Sequence, residues 1–384
     1  MMKRLLPLLP LFYHLNVSAL STTSVSPLPT AAGVATAYNR FAALQDCPVV
    51  TTPLLESPLI NQQLHCRLLV KAECLQYTGS FKFRGAFNRL LTLQKESPDA
   101  AAKGVIAFSS GNFGQALAAA ATSLKIPCSI VSPHDAPSVK LDRIQQYGAN
   151  LVISKAKAGE NREVAASALA QELSETKGLT LLHPFEDANV VHGQGTCGME
   201  VMDQCQALIG DSPDYILVPC GGGGLTAGIN LAVDQKQTTT QIYTIEPRGF
   251  DDHAQSFQRG QRLSLAELYP NSSDNNNYPD RSVFCDALMA GAPGPTTWQI
   301  NQPRLAGALE SSGDASAANA MKIAFDHYRL VLEPSGALGL AAILDGQLPP
   351  EKIRNKTVVV IASGGNIDLD TFAKLMGCMN DSNT

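Results

Sequence analysis

The stretch YILVPCGGGGLTAGIN, Tyr215–Asn230, runs from an uncharged, branched-chain segment through four consecutive glycines into a helix-like segment. The first five residues read as a strand buried on both faces. The glycines permit positive φ and present backbone N–H groups with no side chain in the way. The same order of parts recurs outward in both directions. Arg67–Leu75 (RLLVKAECL) reads as a strand, followed by a helix from about Phe81. Gly104–Ser109 (GVIAFS) precedes an alanine-rich helix, Gln115–Ser123, and Ser129–Ser132 precedes a helix over Val139–Tyr147. Asn150–Ser154, Gln241–Glu246 and Lys356–Ala362 repeat the strand pattern. Apolar strands alternating with helices predict parallel sheets covered on both faces, an α/β architecture.

Small residues collect where these strands end. The loops are Thr78-Gly79-Ser80 before Lys82, Ser110-Gly111-Asn112-Phe113-Gly114, Cys220 with Gly221 to Gly224, and Ser363-Gly364-Gly365-Asn366. In open parallel sheets ligands bind beyond the carboxyl ends of strands. A glycine turn taken alone is usually structural; the tetraglycine is not the Rossmann G-x-G-x-x-G and no GxxxxGK[ST] appears, so these loops meet neither the dinucleotide nor the NTP fingerprint. Converging N–H donors at a helix start do suit a phosphate.

Lys82 stands between Phe81 and Phe83. With Ser80 as candidate N-cap, Lys82 enters the first helical turn, where the helix dipole disfavours a cation. The flanking rings exclude water and favour the neutral amine, a candidate nucleophile towards a carbonyl. On this segment alone, a surface lysine snorkelling past the rings is the stronger reading.

The 384 residues exceed what one core normally organises, so two domains are expected. A net charge of −5 without a basic cluster argues against a nucleic-acid partner. Nine scattered cysteines without a CxxC indicate neither a disulfide framework nor a zinc site. The N-terminus, MMKRLLPLLPLFYHLNVSALSTTSVS, is basic at Lys3 and Arg4, then leucine-rich, then rich in Ser and Thr, with no acidic residue before Asp46. Pro7 and Pro10 interrupt its short apolar run, so a removable signal or transit segment is expected over residues 1–35 rather than a membrane span. Tyr269–Arg281 is a polar stretch read as a surface loop.

Taken together, TGSFKFRGA, SSGNFGQA, PCGGGGLTAG, EPSGALGLAA and ASGGNID resemble, in order, motifs of the fold-type II pyridoxal-phosphate (PLP) enzymes. The resemblance is specifically to the serine/threonine dehydratase and serine racemase family and runs from about Cys47 to Phe372. It overturns the surface reading of Lys82. It implies a tryptophan-synthase-β-like fold with two parallel-sheet α/β domains and PLP in the cleft between them. The large domain would comprise 36–100 and 188–384, and the small domain 101–187. Members are commonly homodimers.

Carried over residue by residue, Lys82 would anchor the cofactor and act as general base, with Phe81 against the ring. Asn112 would hydrogen-bond the cofactor's 3′-oxygen, and Gly221, Gly222, Gly223, Gly224 and Leu225 would bind its phosphate. Ser363 would meet the pyridine nitrogen; a neutral partner leaves the ring a weaker electron sink, which suits elimination. The backbone of Ser110, Gly111, Asn112 and Phe113 would receive the substrate carboxylate. Ser110 also takes the place of a serine used by racemases on the opposite cofactor face, so it permits racemisation without establishing it. EPRGFDD resembles the family's cation site, in which Glu246, Asp252 and the Phe250 carbonyl offer hard oxygen ligands to Mg²⁺ or Ca²⁺; the other reading is an acidic surface turn.

Two departures and one match bear on the substrate. Phe113 stands where many relatives have histidine, and Cys285-Asp286-Ala287 replaces Ala-Asp-Gly. Arg162 matches an arginine that in racemases reaches the substrate's outer end, or else it is a solvated helix residue. The expected activity is that of a PLP-dependent ammonia-lyase (dehydratase) for L-serine or L-threonine. The alternatives are an amino-acid racemase and a 3-hydroxyaspartate dehydratase.

Overall fold

The computed structural model describes residues 27–109, 111–134, 136, 138–156, 162–270 and 281–377. Ser110, most of the expected presequence and most of the 269–281 loop lie outside these described residues. The described residues form ten strands: β1 (Leu54–Glu56), β2 (Arg67–Lys71), β3 (Val105–Phe108), β4 (Cys128–Pro133), β5 (Asn150–Ser154), β6 (Thr180–Leu181), β7 (Tyr215–Pro219), β8 (Gln241–Glu246), β9 (Leu305–Glu310) and β10 (Thr357–Ile361). Six make one sheet in the order β1-β2-β10-β7-β8-β9, and four make a second in the order β5-β4-β3-β6. Every pairing is parallel except that of the antiparallel edge strand β1. Strands β3 to β6 fall in sequence between β2 and β7, so the chain leaves the larger sheet once and returns to it.

Burial explains the continuous apolar runs. All five residues of β7 are buried. Leu217 faces a core with Leu68, Val358 and Leu338, while its neighbours Ile216 and Val218 face another with Leu69, Val359 and Ile229. Successive side chains thus fill opposite faces of one covered sheet. The helix Lys82–Glu96 buries Phe83, Phe87 and Leu90 in the same core as Val105, Leu117 and Leu182 of the smaller sheet. The lysine-bearing helix is thereby wedged between the two units.

Among the described residues, helical structure is already present before the expected boundary at residue 36. A helix spans Ala31–Ala43, its Thr30 hydroxyl accepting from the Gly33 N–H, with Val34, Ala37 and Phe41 buried. The eight described cysteines are all free; seven are buried and Cys47 is partly so. Among the described residues no helix is long and apolar enough to cross a membrane.

Candidate active site

The carboxyl ends of β2, β3, β7 and β10 supply the loops singled out above. Ser80 does not cap the helix that follows it. Phe81 occupies the cap position without a side-chain bond, and the Ser80 hydroxyl is buried with no partner. Tertiary pairing explains the difference: Ser80 bridges Gly364, and the Phe81 N–H donates to the Ser363 carbonyl at 3.1 Å. The loop after β10 therefore holds the residue just before Lys82. Lys82 is the first helical residue, partly exposed to the cleft, with Nζ 4.9 Å from the Phe81 ring centroid. Burial lowers its pKa to about 8, against the pull of Glu333 and Cys220 in the other direction. An amine in that range is still mostly protonated at pH 7, but its neutral fraction, about a tenth, is far larger than that of an ordinary lysine.

Asn112 begins the helix Asn112–Ser123 and is tied to Glu333 and to the loop after β10. Its Nδ2 donates to Glu333 Oε1 at 2.6 Å, and its Oδ1 accepts from Asn366 Nδ2 at 2.9 Å. Asn366 also donates to the Thr78 carbonyl and accepts from Arg143. Ser109 Oγ accepts from the Gly111 and Gly114 N–H groups and so shapes the turn. The Phe113 ring is buried in the core with Leu117, leaving its backbone as the part available to a ligand. Burial and Asp286 raise the Glu333 pKa to about 7, opposed by Lys140, Asn112 and Lys82. Lys140 and Asp286 form an ion pair nearby.

The tetraglycine loop is a cradle that side chains would fill. A Cβ on Gly222 would lie 2.5 Å from the Phe185 ring, and Gly223 has φ +87° with Asn301 and His253 against it. Thr297 Oγ1 donates to the Gly222 carbonyl at 2.6 Å and Asn301 Nδ2 to the Gly223 carbonyl at 3.1 Å. The helix Gly224–Lys236 then starts with unsatisfied N–H groups at Leu225 and Thr226. The Thr226 hydroxyl is buried without a partner. These donors fit an oxyanion such as a phosphate. Phe185 is presented by a turn in which His183 Nδ1 accepts from the Phe185 and Glu186 N–H groups. Burial, aided by Lys82, lowers the His183 pKa to about 4, so this imidazole is neutral.

Residues 48–364 match the family described as pyridoxal-phosphate dependent enzymes. The chain belongs to that family. It is 36% identical to the serine racemase of Arabidopsis thaliana over 84% of this chain and 89% of the relative. It is 33% identical to the L-threo-3-hydroxyaspartate ammonia-lyase of Saccharomyces cerevisiae over 93% of this chain and 99% of that one. Among solved structures, the T.th. threonine deaminase superimposes with a TM-score of 0.75 at 36% identity, covering 89% of this chain and 99% of the other. The fold-type II PLP architecture expected from the motifs is the one found.

For PLP, the residues present fit. An amine of lowered pKa, a glycine cradle with orphan donors and the Ser363 loop lie at neighbouring strand ends. The acidic segment of this PLP-family protein is not a surface turn. Glu246 ends β8, and its two carboxylate oxygens accept from the His253 and Ala254 N–H groups at 2.8 and 2.7 Å, capping the helix Asp252–Arg259. Asp252 is 1% exposed and its Oδ2 has no hydrogen-bond partner. His253 Nδ1 lies 3.5 Å from a carboxylate oxygen of each and 3.7 Å from Cys220 Sγ. Burial raises the Glu246 pKa to about 7 despite His253. Burial also works against a charged His253, but Cys220, Asp252 and Glu246 outweigh it and hold its pKa well above the ordinary range. Phe250 is buried, with the Arg281 guanidinium 3.7 Å from its ring centroid. Arg162 begins the helix Arg162–Lys177, which packs on β3 and β4.

Sequence reasoning missed Glu333, Asn366, Arg143, Phe185 and His253. Glu333 and Asn366 stood inside quoted motifs, and His253 directly follows an expected cation ligand. Arg143 and Phe185 carried no local signal.

Proposed function

We propose that the protein is a PLP-dependent ammonia-lyase that eliminates the β-hydroxyl of L-serine or L-threonine, giving a 2-oxo acid and ammonia. The observation that carries this reading is the Lys82 amine, whose pKa burial lowers to about 8 and which interacts electrostatically with Cys220 at the start of the tetraglycine loop. Bound PLP would supply the carbonyl that captures the substrate amine and the conjugated ring that accepts electrons from the breaking Cα–H bond. Lys82 Nζ takes the α-proton, the task its lowered pKa suits. The Gly221 to Leu225 backbone holds the phosphate, and the Asn112 Nδ2 hydrogen not given to Glu333 is available to the 3′-oxygen. Phe81, its ring centroid 4.9 Å from Lys82 Nζ, would lie against the PLP ring. The Ser363 hydroxyl would meet the ring nitrogen as a neutral group, which would favour short-lived elimination chemistry. The substrate carboxylate would dock at the helix start formed by Gly111, Asn112 and Phe113; Ser110, the fourth residue of that proposed set, lies outside the described residues.

Two other readings have specific support. The curated relative in Arabidopsis is named a serine racemase, and Ser110 would be the second-face acid by family resemblance. The yeast relative is named for L-threo-3-hydroxyaspartate, and Arg162 is the residue to meet the extra carboxylate. The PLP-loaded protein should be offered all three amino acids while 2-oxo acid and both enantiomers are followed. Keto acid matched by ammonia, without D-serine accumulating, is expected; D-serine outpacing pyruvate would establish the racemase instead.

A divalent cation is proposed at Glu246, Asp252 and the Phe250 carbonyl, a set suited to Mg²⁺ or Ca²⁺ when every donor is oxygen. A homodimer and a cleaved N-terminal targeting segment complete the proposal, resting on family resemblance and on the basic, leucine-rich start of the chain.

A further inference from the structure

Glu246, Asp252 and His253 are a group of potential ligands whose donor atoms all lie within 4.8 Å of one another, each residue being buried. We propose that His253 Nδ1 is a ligand of the proposed cation, so that this chain's site takes a divalent transition metal of the Mn²⁺-to-Zn²⁺ series in preference to Ca²⁺. The inference rests on the cation site proposed above and goes beyond it by adding a nitrogen donor from the chain.

Distances support it. With metal–ligand bonds of about 2.1 Å, adjacent ligands are roughly 3.0 Å apart in an octahedron and roughly 3.4 Å apart in a tetrahedron. Nδ1 lies 3.5 Å from Glu246 Oε1 and 3.5 Å from Asp252 Oδ2, close to the tetrahedral spacing. Little rearrangement is needed for one ion to touch all three. Asp252 Oδ2, on a residue 1% exposed, makes no hydrogen bond and is approached only by His253 Nδ1 at 3.5 Å, which leaves its lone pairs open to an ion. Glu246 is pinned by two backbone donors, so its carboxylate is oriented before any ion arrives. Imidazole nitrogen suits Mn²⁺ through Zn²⁺, whereas Ca²⁺ takes about six to eight oxygens at longer range.

The other ring nitrogen strengthens the assignment. His253 Nε2 is buried without a partner and lies where a Cβ on Gly223 would be only 2.8 Å away. A metal on Nδ1 fixes the proton on Nε2, which then faces the phosphate-binding loop. His253 thus spans the cation site and the cradle of the cofactor.

The test uses PLP-loaded full-length protein stripped of metal and re-equilibrated with Mn²⁺, Zn²⁺ or Ca²⁺ at equal free concentrations, with bound metal measured by mass spectrometry. Because carboxylates alone already favour Zn²⁺ over Ca²⁺, the decisive quantity is the change in preference on substitution. His253→Ala is expected to cut the Mn²⁺/Ca²⁺ and Zn²⁺/Ca²⁺ ratios by about tenfold or more. Pulsed electron paramagnetic resonance of Mn²⁺-loaded wild type should show coupling to a directly bound nitrogen, a readout that needs no variant and survives misfolding of His253→Ala. Metal binding without nitrogen coupling and with an unchanged ratio would overturn the inference and leave the oxygen site standing. If wild type binds no divalent metal, both fall, and the imidazole itself is the cation between the carboxylates.

Discussion

Lys82 and Arg84 stand two residues apart on one helix, yet their surroundings are opposite. Arg84 is fully buried and forks between two carboxylates: Nε and Nη2 donate to Glu73 at 2.7 and 2.8 Å, and Nη1 and Nη2 to Glu200 at 2.6 and 2.8 Å. Lys71 donates to Glu200 at 2.6 Å, so two cations meet two anions. Burial alone would raise the Glu73 pKa, but Arg84 and Lys71 bring it below the ordinary value. In the cleft the balance is reversed. The Lys82 pKa falls to about 8 and that of Glu333 rises to about 7, both mainly through burial. Groups withdrawn from water keep their charge where partners surround them and tend to lose it where partners are few. The first arrangement ties the helix to its surroundings; the second leaves an amine of lowered pKa at its first residue.

The largest expected effect separates the two roles. Lys82→Ala should lower kcat/KM by at least about a thousandfold through loss of the general base. Stability without PLP should hold or rise, because a poorly compensated amine is removed. Steady-state kinetics and thermal unfolding of the apo form would check both halves. A clear loss of stability would break the comparison, for it would make Lys82 structural as Arg84 is.

Next in size is Arg84→Leu. It leaves Glu73 and Glu200 buried and opposed, and removing one partner from such a network costs about 3–5 kcal/mol. Urea unfolding at neutral pH should show this, with Arg84→Lys intermediate because it restores charge without the planar fork. Stability unchanged in Arg84→Leu would mean that the network is not what holds the helix.

The same contrast explains what the sequence could disclose. Strands such as Tyr215–Pro219 and Asn150–Ser154 lie where their apolar runs placed them, because hydrophobic pattern and loop residues are local signals. The Lys82 helix was legible too, but its cap was not: Ser80 was claimed by Gly364, which is far along the chain. Asn112 was found from its glycine-flanked loop, whereas its partners Glu333 and Asn366 are 221 and 254 residues away. His253 escaped notice because its neighbour Cys220 belongs to a different strand end. The motifs marked the strand ends, and packing between the two sheets decided which polar groups meet there.

The smallest effect is the most direct measure of the difference between Glu333 and Glu73. A carboxyl whose folded pKa is about 7, against 4.5 when unfolded, binds its proton more tightly in the native state. Its contribution to stability is therefore complete below about pH 4.5 and is lost as pH rises through about 7. Glu333→Gln keeps an oxygen to accept from Asn112 Nδ2 but cannot titrate. Relative to the variant, wild type should lose roughly 1–3 kcal/mol of stability between about pH 4.5 and 7 in the apo form. Because Glu246 titrates in the same window in both proteins, only the difference between the two curves is informative. Parallel curves from chemical denaturation would show that Glu333 is as well compensated as Glu73. The cleft would then be no less neutralised than the network two residues along the helix.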